Sequence, residues 1–170
     1  MSLSSIEKYI VEIPDFPKQG VLFKDITPLL SNQFSLVIDE LAKLLTKNQW
    51  SDIDQLVGIE SRGFILASGL ASSLGKNLTL IRKKGKLPPP VISKKYNLEY
   101  GTEELEIKKG KGNILIIDDV LATGGTLYTS ASLCEEAGYN IKGFLTLLNL
   151  KYLNNFSWKD TNLHSLIDYS

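Results

Sequence analysis

Four short apolar runs, separated from one another by longer segments, constrain the fold of this chain more than any other feature. They are Leu56–Ile59, Leu78–Ile81, Ile114–Ile117 and Phe144–Leu148. Runs that are apolar on both faces are typical of parallel strands covered by helices on two sides. The chain is therefore predicted to be an α/β protein, with a central, mostly parallel sheet flanked by helices.

Three apolar stripes at helical spacing lie before or between these runs. They span residues 34–45, 64–74 and 127–137. Gly75 and Gly138 follow the second and third stripes and are predicted to end those helices, since glycine readily adopts the left-handed conformation. Ser4–Glu7 is a candidate capping box for a short helix with Ile13 on its buried side.

Two segments interrupt this alternation. Residues 1–32 are rich in proline and glycine, which is typical of loops. In residues 85–112, three consecutive prolines precede an alternation of Leu105 and Ile107 with charged residues, as on a solvated hairpin. A loop this long between core strands is usually functional, and we interpret it as a lid. We expect one domain over 1–170, with an N-terminal hood (about 1–32), a core (about 33–150) and the lid (about 85–112).

Composition excludes several classes of protein. The 170 residues carry 19 basic and 19 acidic side chains, so no net charge favours nucleic acid or an anionic membrane. No apolar run is long enough to span a membrane, and the charged N-terminal stretch does not resemble a signal peptide. Cys134 is the single cysteine, and we interpret it as a core residue of a cytoplasmic protein.

The most informative segment runs from Asn113 to Thr126. A buried strand ends in the paired acids Asp118 and Asp119, and the turn Ala122-Thr123-Gly124-Gly125-Thr126 then opens a helix. Ligands bind at the carboxyl ends of parallel strands, and a helix N-terminus favours an anion. A Gly-Gly turn or an Asp-Asp pair alone is more often structural, but the whole string suits a sugar that carries a phosphate.

This string resembles the signature of the type I phosphoribosyltransferases, and four other segments resemble the adenine-specific branch of that family. They are 16–28 (with Gly20-Val-Leu-Phe-Lys-Asp-Ile-Thr-Pro28), Gly58-Ile-Glu-Ser-Arg-Gly-Phe64, Leu80-Ile-Arg-Lys-Lys-Gly-Lys-Leu-Pro88 and Tyr96-Asn-Leu-Glu-Tyr-Gly101. The resemblance covers residues 13–150. It implies the type I fold and transfer of a phosphoribosyl group from phosphoribosyl pyrophosphate to adenine, giving AMP and pyrophosphate.

For the donor, the resemblance implies that Ala122, Thr123, Gly124, Gly125 and Thr126 bind the 5-phosphate. Asp118 and Asp119 would then meet the ribose hydroxyls, directly or through Mg²⁺ that is held mainly by substrate oxygens.

The pyrophosphate is expected to meet two cationic segments. Arg62 follows a core strand, and its planar fork suits phosphate. Arg82, Lys83 and Lys86 resemble the family's second pyrophosphate contact, although an isolated run of this kind is usually a solvated face.

For the base, Leu22, Phe23 and Lys24 match the family segment that holds adenine, and Leu150 aligns with an apolar base contact. Phe23 suits stacking on the purine or a place in the hood core. Lys24 stands where relatives carry arginine, so a bidentate contact is expected to be missing.

Glu99 resembles the acidic lid residue of the adenine enzymes, and Tyr100 beside it is a predicted substrate contact. A carboxylate closed over the base would take the proton of the attacking ring nitrogen. The alternative is that Glu99 only belongs to a polar hairpin.

Two rival functions are disfavoured. A sibling enzyme that uses xanthine or orotate does not fit the hood and the 97–101 segment, which follow the adenine pattern. A sensor that binds the donor without turnover would need a DNA-reading element, for which this length leaves no room. The segment from Asn149 to Trp158 departs from the family pattern, which puts local packing in doubt. His164, the single histidine, is interpreted as structural. A homodimer is expected from the resemblance.

Overall fold

The computed structural model describes residues 4–98 and 101–170. The chain divides into two compact units, Met1–Glu40 and Leu41–Ser170. Within the described residues no helix is both long and apolar enough to cross a membrane.

The N-terminal unit contains more regular structure than the sequence predicts. Its elements are α1 (Ser4–Glu7), β1 (Val11–Pro14), β2 (Leu22–Asp25) and most of α2 (Thr27–Ala42). β1 and β2 pair antiparallel, so Ile13 lies on a strand and not on the first helix as predicted. Pro28 occupies the first turn of α2, where a missing N–H costs nothing. The apolar stripe over residues 34–45 predicted a helix that continues too far, because α2 ends at Ala42.

The second unit alternates strands and helices. Its elements are α3 (Lys47–Ser51), β3 (Gln55–Ile59), α4 (Arg62–Leu74), β4 (Asn77–Lys83), β5 (Ile92–Leu98), β6 (Gly101–Ile107), β7 (Asn113–Leu121), α5 (Gly125–Glu136), β8 (Asn140–Leu150), a 3₁₀ turn (Lys151–Leu153) and β9 (Asn162–Tyr169). All four predicted strands are confirmed, as β3, β4, β7 and β8. Gly75 (φ 63°) and Gly138 (φ 102°) follow α4 and α5 in the left-handed conformation, as predicted.

Seven strands form one sheet in the order β5-β6-β4-β3-β7-β8-β9. The five strands β4, β3, β7, β8 and β9 run parallel to one another. β6 runs antiparallel to its two neighbours, β4 and β5. The mostly parallel α/β sheet is therefore confirmed. Cys134 is buried on α5, as predicted for a core residue, and burial raises the pKa of its thiol. β9 was not predicted as a strand.

β5 and β6 form the predicted hairpin. The prediction that this hairpin is solvated is wrong for the end of β6 that carries Leu105 and Ile107. Leu105 and Ile107 are buried because β6 pairs with β4, which extends the main sheet. Glu106, between them, is also buried. The alternation of these residues therefore reflects their place on a strand of the main sheet. Glu106 accepts a hydrogen bond from the Gly85 N–H.

Candidate active site

The turn after β7 forms a small anion-sized cavity. Gly124 adopts φ 89° and stands at the N-terminus of α5, which begins at Gly125. The first N–H groups of a helix have no partner within it, so they point out of this end. The cavity measures about 70 Å³ and is lined by residues 120–127 together with Asp118. Five residues that the sequence predicts as phosphate ligands therefore surround one space.

Two buried carboxyl groups lie beside this cavity, at the end of β7. Asp118 is 8% and Asp119 6% exposed, and the Asp119 N–H donates to Asp118 Oδ1 at 2.9 Å. Burial, and then the charge of Asp119, raise the pKa of Asp118 well above its ordinary value. Burial also raises the pKa of Asp119, and the Arg62 guanidinium partly offsets that rise. The pair therefore gains from a nearby cation.

Arg62 meets this pair from the start of α4, with its Nε 2.7 Å from Asp119 Oδ2. Glycines allow the helix to come this close. A Cβ on Gly63 would lie 2.8 Å from the Ile117 carbonyl oxygen, and one on Gly58 would lie 2.9 Å from the Ala67 Cβ. Larger residues at these positions would push the first turn of α4 away from β3 and β7.

The second cationic segment, residues 82–86, begins on the last two residues of β4, continues into the turn after it, and is held by acids. Glu60 Oε2 accepts from the Lys83 N–H at 2.9 Å and from Arg82 Nε at 3.2 Å. Burial opposes ionisation of Glu60, but the hydrogen bonds from Lys83 and Arg82 outweigh it and lower its pKa. Lys83 Nζ lies 2.8 Å from Glu103 Oε1. Lys86 is exposed.

Tyr96, on β5, links the two predicted ends of the donor site. The Tyr96 hydroxyl donates to Glu103 Oε2 at 2.8 Å, and the Thr126 hydroxyl bonds to the same phenolic oxygen. Burial raises the pKa of Tyr96 to about 12, so it stays a neutral donor at neutral pH. Together with the Lys83–Glu103 pair, these contacts connect the phosphate turn with the cationic segment.

The predicted base contacts belong to both units, and each is described within its own. Leu22 is exposed on β2, and the Phe23 ring makes an edge contact with Phe16 at 5.1 Å between centroids. Lys24 is buried and pairs with Glu12 across the β1–β2 ladder. In the second unit, Leu150 is buried at the end of β8. The predicted residues Glu99 and Tyr100 lie outside the described residues.

The carboxylates of Asp118 and Asp119 fit a magnesium ion that is also bound by substrate oxygens better than one held by the protein alone. Across residues 4–98 and 101–170, no three His, Cys, Asp or Glu side chains are grouped to hold a metal. The two buried carboxylates carry charge that a hard cation would neutralise, and Mg²⁺ commonly uses one or two carboxylates besides substrate oxygens and water. The residues present therefore fit an ion that arrives with the substrate.

Three contributors were missed by sequence reasoning: Glu60, Tyr96 and Glu103. Glu60 was noted only as part of the segment that carries Arg62. The opposite charges of Lys83 and Glu103 on adjacent strands are a signal for pairing, but only once the partner strands are known.

The segment that departs from the family pattern also contacts the phosphate turn. The centroid of the Phe156 ring lies 4.7 Å from that of Tyr128 and 5.0 Å from that of Phe144. The Phe156 and Tyr128 rings are the nearest groups, each at 3.5 Å, to a Cβ built on Gly124. A cavity of about 370 Å³ lies alongside. It is lined by Asn149, Lys151, Asn154, Asn155, Phe156, Leu163, Ser165 and Asp168.

Comparisons with known proteins agree with this geometry. The phosphoribosyl transferase domain matches residues 29–151. A relative named adenine phosphoribosyltransferase, from Hydrogenovibrio crunogenus, is 45% identical over 170 residues, which is 99% of each chain. The crystal structure of adenine phosphoribosyltransferase from Thermoanaerobacter pseudethanolicus is 40% identical, with a TM-score of 0.92 over 99% of this chain and 100% of that one.

A further crystal structure, of the Giardia lamblia APRTase complexed with 9-deazaadenine, is 36% identical. Its TM-score is 0.85 over 100% of this chain and 99% of that one. The likeness extends over nearly the whole length of both chains. The chain therefore belongs to the adenine phosphoribosyltransferase family, within the phosphoribosyl transferase domain proteins.

Proposed function

We propose that this enzyme transfers the 5-phosphoribosyl group from phosphoribosyl pyrophosphate to adenine, giving AMP and pyrophosphate, in purine salvage. The observation that carries the proposal is the cavity that the 122–126 turn forms with Asp118 at the N-terminus of α5. A phosphate there would meet unpartnered N–H groups and the positive end of the helix. Family membership supplies the choice of donor and base.

On the donor side, the turn would bind the 5-phosphate through its backbone N–H groups and the hydroxyls of Thr123 and Thr126. Asp118 and Asp119 would accept hydrogen bonds from the ribose hydroxyls. Cations of the Arg62 and 82–86 segments would neutralise the pyrophosphate. Their support is the proximity of Arg62 to Asp119 and the anchoring of the 82–86 turn near Glu60.

On the base side, Phe23 would stack on adenine, backbone groups of Leu22 and Lys24 would read its edge, and Leu150 would supply an apolar contact. In the reaction, the bond from the anomeric carbon to the pyrophosphate oxygen breaks and a bond to the ring nitrogen forms. Glu99 would take the proton that this nitrogen loses, and Tyr100 would contact the substrate. These roles follow from the family resemblance.

Magnesium would be held by Asp118 and Asp119 together with substrate oxygens, and it would supply charge neutralisation for the leaving pyrophosphate. Magnesium titration of donor binding, by calorimetry with and without EDTA, tests this assignment. Loss of binding in EDTA is expected, and unchanged binding would contradict it.

We also propose a homodimer in the cytoplasm. Support for the dimer comes from the family resemblance. Sedimentation of the wild type tests the dimer, and cell fractionation tests the compartment.

A competition assay tests the activity itself. Purified enzyme is given the donor, magnesium and an equimolar mixture of adenine, hypoxanthine, guanine, xanthine and orotate, and the nucleotides formed are separated. AMP is expected as the dominant product. A different nucleotide would favour a sibling enzyme, and tight donor binding without any product would favour a sensor.

A further inference from the structure

The 82–86 segment is anchored by two carboxylates of the second unit, those of Glu60 and Glu106. Glu60 Oε2 accepts from the Lys83 N–H and from Arg82 Nε, at 2.9 and 3.2 Å. Glu106 Oε1 accepts from the Gly85 N–H at 2.9 Å. The Glu60 side chain is only 16% exposed, so its contacts are shielded from water. The backbone of the turn is therefore fixed before any ligand arrives.

Arg82 donates two hydrogen bonds within the protein. Besides the Nε contact to Glu60, its Nη1 donates to the Lys86 carbonyl oxygen at 3.2 Å. The guanidinium also lies 5.9 Å from the centroid of the Phe64 ring. The guanidinium has five N–H donors, so these two bonds make Arg82 part of the scaffold of the turn without using up its capacity to bind phosphate.

The lysines of the turn differ in availability. Lys83 pairs with Glu103 and Lys84 with Glu104, each at 2.8 Å. Lys86 is exposed, and among the described residues its ammonium forms no ion pair, although its charge helps to lower the pKa of Glu60. The position of Lys86 depends on the turn, because the carbonyl of that residue is the one that Arg82 holds.

We propose that Glu60 is a positioning residue for the pyrophosphate end of the donor site, acting through Arg82. Glu60 holds Arg82, Arg82 holds the Lys86 backbone, and the cationic turn is thereby presented in one geometry. Arg82 thereby gains a role in holding the turn, beside the pyrophosphate contact that the sequence resemblance implies. This inference rests on the proposed function, because it assumes that the turn meets pyrophosphate.

A double-mutant cycle tests the inference. Glu60→Gln, Arg82→Gln and the double variant are compared for KM of the donor, for kcat and for the Kd of magnesium pyrophosphate by calorimetry. Each single variant is expected to raise KM and Kd by about 10-fold while kcat stays within about twofold. The double variant is expected to be no worse than the poorer single variant, because both remove the same brace.

Two further variants separate positioning from attraction by charge alone. Arg82→Lys keeps the charge but cannot bond Glu60 and the Lys86 carbonyl together, so positioning predicts a loss close to that of Arg82→Gln, whereas attraction by the charge alone would keep most of the affinity. Glu104→Gln, which removes another acid that pairs with this turn, is the matched control and should leave the donor KM within about twofold of wild type. Thermal melting confirms that each variant is folded, and the two Arg82 variants decide the question if Glu60→Gln is not.

The outcomes are distinguishable from a failure of the proposed function. If the wild type makes no AMP from adenine, the proposed function falls, while pyrophosphate binding still reports on the brace. If the losses of Glu60→Gln and Arg82→Gln multiply in the double variant, or if Glu60→Gln binds like wild type, the positioning role is overturned.

Discussion

Arg62 Nε lies 2.7 Å from Asp119 Oδ2 and joins two segments that the sequence assigns to opposite ends of one substrate. Arg62 is the predicted pyrophosphate ligand, and Asp119 is the predicted ribose or magnesium contact. The ion pair places both in one cluster at the ends of β3 and β7. It also means that a donor must share or displace a contact that already stabilises the protein.

The first prediction concerns this pair. We expect Arg62→Ala to lower the free energy of unfolding by about 2 kcal/mol, because it leaves a buried carboxylate without its counter-charge. Urea unfolding at neutral pH measures the loss. Adding Asp119→Asn to Arg62→Ala should recover most of it, since the orphaned charge is then gone. An Arg62→Ala protein as stable as wild type would show that the pair carries no net stabilisation.

Asp118→Asn should have the opposite effect on stability. Asp118 is buried beside Asp119, and both burial and that neighbour raise its pKa, so its charged form is destabilising in the free protein. We expect the variant to gain about 1 kcal/mol in urea unfolding with EDTA present. We also expect kcat/KM for the donor to fall by about 100-fold. A variant that loses both stability and activity would contradict this trade-off.

Phe156 is expected to support the phosphate turn from the divergent segment. Phe156→Ala removes the ring that packs on Tyr128 and lies next to Gly124. Because the side chain is half-buried, we expect a loss of about 2 kcal/mol in unfolding free energy and a raised donor KM. Phe156→Leu, which keeps most of the volume, is the matched control. Equal donor KM in wild type and Phe156→Ala would confine the residue to a packing role.

The strands and helices of the core were predictable because their pattern is local. Leu56–Ile59 and Ile114–Ile117 are apolar on both faces, and central strands of a covered parallel sheet require that. β9 was missed because an edge strand tolerates polar residues such as His164 and Ser165. Leu105 was placed on a solvated hairpin because nothing local shows that β6 pairs with β4.

The site was predictable at the level of segments and not of contacts. The 118–126 string carries its own geometry, since a strand, a glycine turn and a helix place N–H groups and acids together. The partners of Arg62 and Arg82 depend on how separate strand ends face each other in the folded sheet. No spacing rule along the chain contains that information.

A pH-dependent prediction concerns Glu103. The Lys83 hydrogen bond, and then that of Tyr96, lower the pKa of Glu103 below its ordinary value of 4.5. The unfolded chain therefore binds this proton more tightly, and the stabilisation present above that value is lost as the pH falls through the folded-state pKa. Glu103→Gln should be less stable than wild type at neutral pH, and the gap should close in acid.

Urea midpoints measured from neutral pH into acid follow this gap. Lys83→Met is the control background, because removing the cation should shrink the effect of Glu103→Gln at every pH. A gap that stays constant below the ordinary pKa would show that Glu103 acts by packing and not through its charge.

The last prediction separates catalysis from structure on the hairpin itself. Glu99→Gln keeps the shape of the proposed catalytic carboxylate and removes its ability to take a proton. We expect kcat to fall by about 100-fold, because general base catalysis contributes at least that much. The donor KM should change by less than about twofold, since the proton moves only in the transition state. Glu104→Gln, five residues further along the chain and paired with Lys84, is the matched control. If both variants slow turnover equally, the hairpin acts through its overall charge; if neither does, the proton leaves by another route.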